Sequence, residues 1–301
     1  MRKGLSSLGI TLKVLAEQKS KEARWRLLGY ANCLERRFEK RMGYPLSLEK
    51  PRTFSEKMQW LKVYGRLERF APWTDKERVR AYVRDCIGEG YLVPLLGVYA
   101  RPEDIALEAL PDRFVIKATH GCGWNERVTD KAAWDWEAAS RRLKRWLVSN
   151  YYFKYGEANY KPLKGRILVE ALLEDSSGEI MDYKFFCYNG IARFIQLDSG
   201  RFTDHRRDIY DPLWTRLPVR LGYPNLDTPT TKPEGLEEML EVARKLSKPF
   251  PFVRVDLYYA QGRVYFGELT FVPASGMKRF IPVQYDAIFG EGIDLALYLE
   301  A

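Results

Sequence analysis

Histidine is nearly missing from this chain, with only His120 and His205, and its four cysteines, Cys33, Cys86, Cys122 and Cys187, form no CxxC pair. That supply argues against a zinc site, and reduced thiols in a cytoplasmic protein are the expectation. Long apolar runs are missing too. No stretch reaches the roughly 18 uninterrupted apolar residues of a spanning helix, and Lys13 interrupts the only candidate leader, so neither a transmembrane helix nor a signal peptide is expected. Repeats and low-complexity tracts are absent. With 46% hydrophobic and 14% aromatic residues in 301, disorder is excluded as the main state, and one to three closely packed units are expected.

Acidic residues are the scarcer charge. Forty-nine Lys and Arg against 40 Asp and Glu leave a net charge of +9, which favours acidic partners such as nucleotides, carboxylated or phosphorylated substrates, nucleic acid or an anionic membrane surface. Much of the excess lies in the first 50 residues, with twelve Lys/Arg against five Glu. There Leu5, Leu8, Leu12 and Leu15 recur at helical steps, bordered by Lys3, Lys13 and Lys19. Such a basic amphipathic helix either lies on an anionic membrane or docks on the protein's own body.

Helical periodicity continues over Glu22–Arg41 and over Phe54–Tyr64, the latter opened by the capping-box pattern Thr53…Glu56. A further helix is expected over Asp75–Ile87, ending at Gly88-Glu89-Gly90, before a short strand and loop at Tyr91–Tyr99. Strands are expected at Arg113–Thr119, Arg166–Leu173, Met181–Asn189, Ala192–Asp198, Phe252–Tyr259 and Val264–Phe271, helices at Trp134–Val148 and 233–247, with turns at Asp175-Ser176-Ser177-Gly178 and Asn189-Gly190. The layout is α+β with mainly antiparallel strands. It divides into an N-terminal helical region (1–74), a core (75–285) and a C-terminal helix (286–301).

The most informative stretch is FVRVDLYYAQGRVYFGELTF, residues 252–271. Alternate residues of a strand share a face, so Arg254 and Asp256 point one way and Val253, Val255 and Leu257 the other. A hairpin closed through a three-residue loop at Gln261-Gly262-Arg263 sets Asp256 opposite Glu268 and Arg254 opposite Thr270. Carboxylates facing each other across strands destabilise a sheet unless a cation offsets them, and Mg²⁺, held by one or two carboxylates and phosphate oxygens, meets that need. Neutralisation by Arg254 on a solvated face is the alternative.

Lys117 lies in the apolar strand RFVIKAT, just before His120-Gly121-Cys122-Gly123-Trp124-Asn125. A lysine in such a strand calls for an anion, and the glycines would let backbone N–H groups close over phosphate oxygens; an ordinary hairpin turn is the other reading. Glu170 interrupts the apolar strand RILVEALL and could bind an exocyclic amine or ribose hydroxyl, or pair with Lys161 or Lys164.

Taken in order, PRTFSEKMQWLKVYGR, Asp75-Lys76, FVIKATHGCGWN, NYYFKYGEANYKPLKGRILVEALL, DYKFFCYNG, FVRVDLY and FGELTFVPASG resemble the ATP-grasp superfamily, in its teichuronopeptide-biosynthesis-like branch. The resemblance covers about residues 50–285. It implies the ATP-grasp fold, two α+β subdomains holding the nucleotide between them. It also implies ATP and Mg²⁺ as cofactors. Lys76 and Lys117 would then contact ATP phosphates, His120, Gly121, Gly123 and Asn125 would belong to a mobile loop over them, and Glu170, Ala171 and Leu172 would form the hinge at adenine and ribose. Lys184 and Arg254 would touch phosphate or intermediate. Asp256, Glu268 and Thr270 would form the metal set, with Thr270 standing where the superfamily often has asparagine.

The reaction so implied is ligation of a carboxylate to an amine through an acylphosphate, the acceptor being a uronic-acid or amino-acid carboxylate of surface-polysaccharide assembly. The expected partners are an acidic small-molecule or glycan substrate and an amine, without nucleic acid, and with peripheral membrane contact open to the N-terminal helix. Two alternatives remain at the level of sequence. A sugar or glycan kinase on the same fold would need a base, for which Asp204, His205 or Asp208 in FTDHRRDIYD could serve, although that segment also reads as a charged surface loop. A non-enzymatic basic module would use the aromatic and cationic residues of Arg141–Tyr155, whose helical spacing also suits a buried face.

Overall fold

A computed structural model describes residues 7–174, 180–200 and 203–299. Leu5 and the turn expected at 175–178 lie outside the described residues. The chain divides into two compact units, each assembled from three separate stretches: residues 1–33, 67–80 and 93–172 form the first, and 34–66, 81–92 and 173–301 the second.

In the first unit α1 spans Ser7–Leu28. Gly29, at φ 78°, occupies the left-handed position that ends a helix, so the helix expected over Glu22–Arg41 is split and α2 restarts at Tyr30–Met42. Helix α1 does dock, through Val14, Gln18 and Trp25: Gln18 donates to the Val148 carbonyl at 3.2 Å, and Trp25 packs on Tyr30, Tyr152 and Phe153. The leucine stripe is on the other side, Leu8 being 69%, Leu12 59% and Leu15 44% exposed.

Helix α4 (Ala71–Thr74) precedes a sheet of four antiparallel strands in the order β1-β4-β2-β3. These are β1 Leu95–Tyr99, β2 Phe114–Ala118, β3 Asn125–Val128 and β4 Ile167–Ala171. Helix α6 (Trp136–Val148), N-capped by Asp135, packs Leu143 onto the face bearing Phe114, Ile116, Val128, Ile167 and Val169. Period-2 alternation therefore leaves Lys117 and Glu170 on the other face. Short α7 (Tyr152–Tyr155) completes the unit.

The second unit begins within α2, from Leu34, and continues with α3 (Phe54–Tyr64), whose Thr53–Glu56 capping box forms as expected. Helix α5 spans Val79–Ile87, starting after Asp75, which accepts N–H bonds from Glu77 and Arg78. The main sheet runs β10-β9-β5-β6-β7, all antiparallel, from β5 Asp182–Tyr188, β6 Ile191–Ser199, β7 Arg206–Tyr210, β9 Phe252–Ala260 and β10 Arg263–Thr270. Asn189-Gly190 makes the tight β5–β6 turn, with φ 47° and 80°.

Helix α8 (Leu236–Ser247) buries Leu236, Met239, Val242 and Leu246 against the face formed by Phe185, Ile195, Val253 and Val255. The opposite face is divided along the strands. At one end Phe186, Tyr188 and Phe252 join Phe54 of α3 and Phe289 of α9 (Gln284–Glu291) in an aromatic cluster. At the other end it buries charges. A two-residue ladder of β8 (Arg220–Leu221) with β11 (Phe280–Ile281) lies outside this sheet. Arg206–Tyr210, within the segment that also reads as a charged surface loop, form the edge strand β7, in which Arg207 is 7% and Asp208 0% exposed.

Candidate functional site

The β9–β10 hairpin turns through two residues, Gln261-Gly262, not three, and starts with Ala260 opposite Arg263. Continued unchanged, that register would put Glu268 on the face of Val264 and Phe266, in the core. Instead the register shifts at Gly267, and Glu268 faces Asp256 while Thr270 faces Arg254. The expected pairing holds, but a β-bulge produces it. A Cβ at Gly267 would lie 3.0 Å from the Asp256 carbonyl and 3.1 Å from the Tyr258 ring, so the bulge needs the small residue.

Across the sheet, Glu268, Asp256, Lys184 and Gln196 stand side by side on β10, β9, β5 and β6, with Asp182, Asp198 and Arg207 in the next row. Asp182, Asp198 and Asp256 are at most 2% exposed. Asp256 accepts two bonds from Arg254 at 2.7 Å and one from Lys184 at 3.0 Å; Lys184 is also 3.3 Å from Asp182. The facing carboxylates are thus not uncompensated, because Arg254 and Lys184 neutralise Asp256, and charge repulsion alone does not demand a metal.

The donor set still suits one. Among the described residues Asp182, Asp198, Asp256 and Glu268 share this face with Lys184, Arg207 and Arg254. Glu268 keeps 29% side-chain exposure, lies 3.8 Å from Arg254 and accepts from the Thr270 hydroxyl at 3.3 Å. Two carboxylates and a hydroxyl are the hard oxygen donors that suit Mg²⁺. Among the described residues no group of three or more His, Cys, Asp or Glu could hold a metal, so an ion here would complete its shell with phosphate oxygens and water. Burial alone would lower the Arg254 pKa and raise that of Asp198. The charge of Asp256 outweighs it for Arg254, which stays firmly charged, and the Arg207 guanidinium outweighs it for Asp198, whose carboxyl lies well below the usual range.

In the first unit Lys117 donates to Glu170 at 2.6 Å, across a diagonal of the β2–β4 ladder, and Arg80 donates to the other Glu170 oxygen at 2.8 Å. The partners of Glu170 are therefore Lys117 and Arg80, not Lys161 or Lys164. The loop between β2 and β3 is a hairpin connection. The Lys76 ammonium donates to the Gly121 carbonyl at 2.7 Å, and the Trp124 indole covers Gly121 so closely that a Cβ there would come within 2.2 Å of the ring. His120 is 2% exposed, and its Nε2 meets the carbonyls of Trp146 and Ser149 at 2.9 and 3.1 Å. Burial lowers its pKa, so the side chain anchors the loop as a neutral imidazole. Gly123 has φ 70°. Asn125 opens β3 opposite Lys117. The Ala171 N–H donates to the Pro94 carbonyl, and Leu172 ends this stretch of the unit.

Of the proposed bases, Asp204 pairs with Arg206 at the surface, and Asp208 is buried and saturated by Arg216, Asn225 and the Leu226 N–H. His205 reaches Asp198 at 3.2 Å and stacks on Tyr223. Sequence reasoning missed Asp182, Asp198 and Arg207. Their signal was present as polar residues two apart in successive apolar strands: Asp182/Lys184, Gln196/Asp198 and Arg254/Asp256. It also missed the left-handed Ala274 and Ser275 that follow β10 (φ 50° and 57°). Gln59 and Lys62 of α3 hold this turn, donating to the Ser275 carbonyl at 3.1 and 2.6 Å.

A family profile described as TupA-like ATPgrasp matches residues 56–294. The chain belongs to the TupA-like ATP-grasp family. As a member of that family it uses ATP and Mg²⁺, and its α+β architecture with antiparallel sheets is the fold of that family. Among solved structures it is similar to the D-cycloserine synthetase DcsG, with 18% identity over 83% of this chain and 80% of that one, at a TM-score of 0.44. It is also similar to D-alanine–D-alanine ligase from Bacillus anthracis (16% identity, 81% and 72% covered, TM-score 0.44). The same enzyme from Helicobacter pylori gives 14% identity, 82% and 68% covered and a TM-score of 0.41. Comparison with curated proteins finds no match. The assignment to this ATP-grasp family rests on the profile match.

Proposed function

We propose that this ATP-grasp protein is a ligase that joins the carboxylate of an acidic sugar or amino acid to an amine through an acylphosphate, in the assembly of a surface polysaccharide. The observation that carries the reading is the row Glu268–Asp256–Lys184, in which a half-buried carboxylate, a buried carboxylate and a buried ammonium stand side by side on one sheet face. In this reading a carboxylate oxygen attacks the γ-phosphorus, the bond to ADP breaks, and the amine then attacks the acyl carbon, releasing phosphate and a proton. Lys76 and Lys117 would offset phosphate charge, while Lys184 and Arg254 would face the transferred group. Asp256 and Glu268, assisted by Thr270, would hold Mg²⁺, which supplies further neutralisation of the phosphates when bound. The loop from Thr119 to Trp124 would keep water from the acylphosphate, and the net charge of +9 would draw an acidic substrate.

Hydroxylamine tests this directly. Trapping of a hydroxamate with stoichiometric ADP release supports the ligase, whereas an acid-stable phosphorylated product would make the chain a kinase.

We also propose peripheral contact with an anionic membrane through α1. Leu8, Leu12 and Leu15 are exposed, and Lys19 and Arg26 continue the same row. Among the described residues no helix is long and apolar enough to cross a membrane. Co-sedimentation with phosphatidylglycerol vesicles that is lost in Leu8→Ser/Leu12→Ser is the expected result. Equal sedimentation of parent and variant would remove the proposal.

A further inference from the structure

The strand pair β8–β11 and the residues around it border an open cavity of about 360 Å³ in the second unit, lined by Arg41, Arg220, Tyr223, Lys278 and Arg279. Four cations meet there, and no carboxylate belongs to the lining. Among the described residues none of the four has an ion-pair partner: Arg279 spends its Nε on the Arg41 carbonyl at 3.0 Å, and Lys278 lies 4.6 Å over the Tyr223 ring. Other basic side chains of this unit are paired with carboxylates, among them Arg206, Arg207, Arg216, Arg244 and Arg254. Like charges left together without a counter-ion repel one another, and an oxyanion is the ligand that relieves the repulsion.

The cavity is also tied to the carboxylate row. Tyr223 carries Arg207 at 4.7 Å on its ring and stacks with His205 at a centroid distance of 3.8 Å. Arg207 pairs with Asp198, and Asp198 shares its sheet face with Lys184 and Asp256. The chain reaches the cavity through Met277 and Lys278, directly after the turn that Gln59 and Lys62 hold. A substrate bound here would therefore lie at the end of the same polar face.

We infer that this cavity is a subsite for a polyvalent oxyanion, either several carboxylates or a phosphate chain, belonging to the acceptor substrate. The subsite rests on the ligase reading only in naming the anion as part of the acceptor, and anion binding can be measured without turnover. Four cations in 360 Å³ exceed what one carboxylate needs, so two or more negative charges, spaced as on neighbouring sugar residues or in a diphosphate, are the fitting ligand.

Isothermal titration of the full chain, with the nucleotide site saturated by a non-hydrolysable ATP analogue and Mg²⁺, tests this. The probes are trigalacturonate, inorganic pyrophosphate and neutral maltotriose. At least one anion should bind, and its affinity should fall at least tenfold in Arg220→Ser/Lys278→Ser and weaken with added salt, while maltotriose gives no heat. Trigalacturonate alone would identify a carboxylated glycan; pyrophosphate alone would identify a phosphate-linked carrier. Arg220 is exposed and Lys278 only half-buried, so native circular dichroism and unchanged affinity for the ATP analogue are expected. The subsite is overturned if neither anion binds the parent chain, or if the natively folded variant binds them as well as the parent does. Loss of anion binding in the variant, in a chain that yields no hydroxamate with any acceptor, would keep the subsite and remove the ligase reading.

Discussion

Replacing Arg254 separates the two demands on the β9–β10 carboxylates, charge balance in the resting protein and metal binding. In Arg254→Met the Asp256 carboxylate loses two 2.7 Å bonds, and Glu268 loses the cation 3.8 Å away. Removing one partner of a buried ion pair costs about 3–5 kcal/mol. Lys184 still donates to Asp256 at 3.0 Å, and Glu268 is 29% exposed, so we expect less than that range, about 2–3 kcal/mol, or about 3–5 °C in the melting temperature for a chain of this length. Scanning calorimetry of the full chain, with and without Mg²⁺, reads this out. Mg²⁺ should restore more stability to Arg254→Met than it adds to the parent, in which Arg254 competes for the same oxygens. Arg254→Lys should recover part of the loss, because it returns the charge without the two-pronged geometry. A melting temperature within about 1 °C of the parent, together with equal responses to Mg²⁺, would refute the reasoning.

Gly267→Val should cost about 1–3 kcal/mol by crowding the Asp256 carbonyl and the Tyr258 ring, and should lower ADP release at least tenfold by disturbing the bulge that turns Glu268 onto the polar face; parent-like turnover would count against that role for the bulge. Lys117→Met leaves Glu170 paired with Arg80, so the fold should survive while the KM for ATP rises at least tenfold, and an unchanged KM would take Lys117 off the phosphates. His120 titrates below its ordinary 6.5 because it is buried, so below that pH the unfolded chain takes up a proton that the folded chain resists. Stability should therefore be full above about pH 6.5 and fall as the pH drops toward the depressed folded value, a slope that His120→Gln should reduce in urea titrations compared at pH 5.5 and 7.5.

The elements legible in the sequence are those where local chemistry and tertiary packing agree. The Thr53–Glu56 capping box, the Asn189-Gly190 turn and the apolar alternation of β5, β6 and β9 are each satisfied by neighbours a few residues away or by the pleat itself. The fold class could therefore be read. The site was legible where residues two apart share a strand face, as with Arg254 and Asp256, and where a short hairpin sets two strands against each other, as with Asp256 and Glu268. Partners brought together by long-range pairing could not be seen, since nothing local links Arg80 to Glu170 or Arg207 to Asp198. The β9–β10 hairpin shows how these levels interact. A three-residue loop and a two-residue loop with a bulge give the same pairing of Asp256 with Glu268, because one inserted residue shifts the register as far as one added loop residue does. They differ before Gly267. A three-residue loop would keep Glu268 on the face of Val264 and Phe266 and set all three residues against the carboxylates' side, whereas the bulge lets Val264 and Phe266 enter the core while Glu268 and Thr270 turn to the polar face. The alternation Val264, Phe266, then Leu269 and Phe271, a break in period at Gly267, is the trace that the bulge leaves in the sequence.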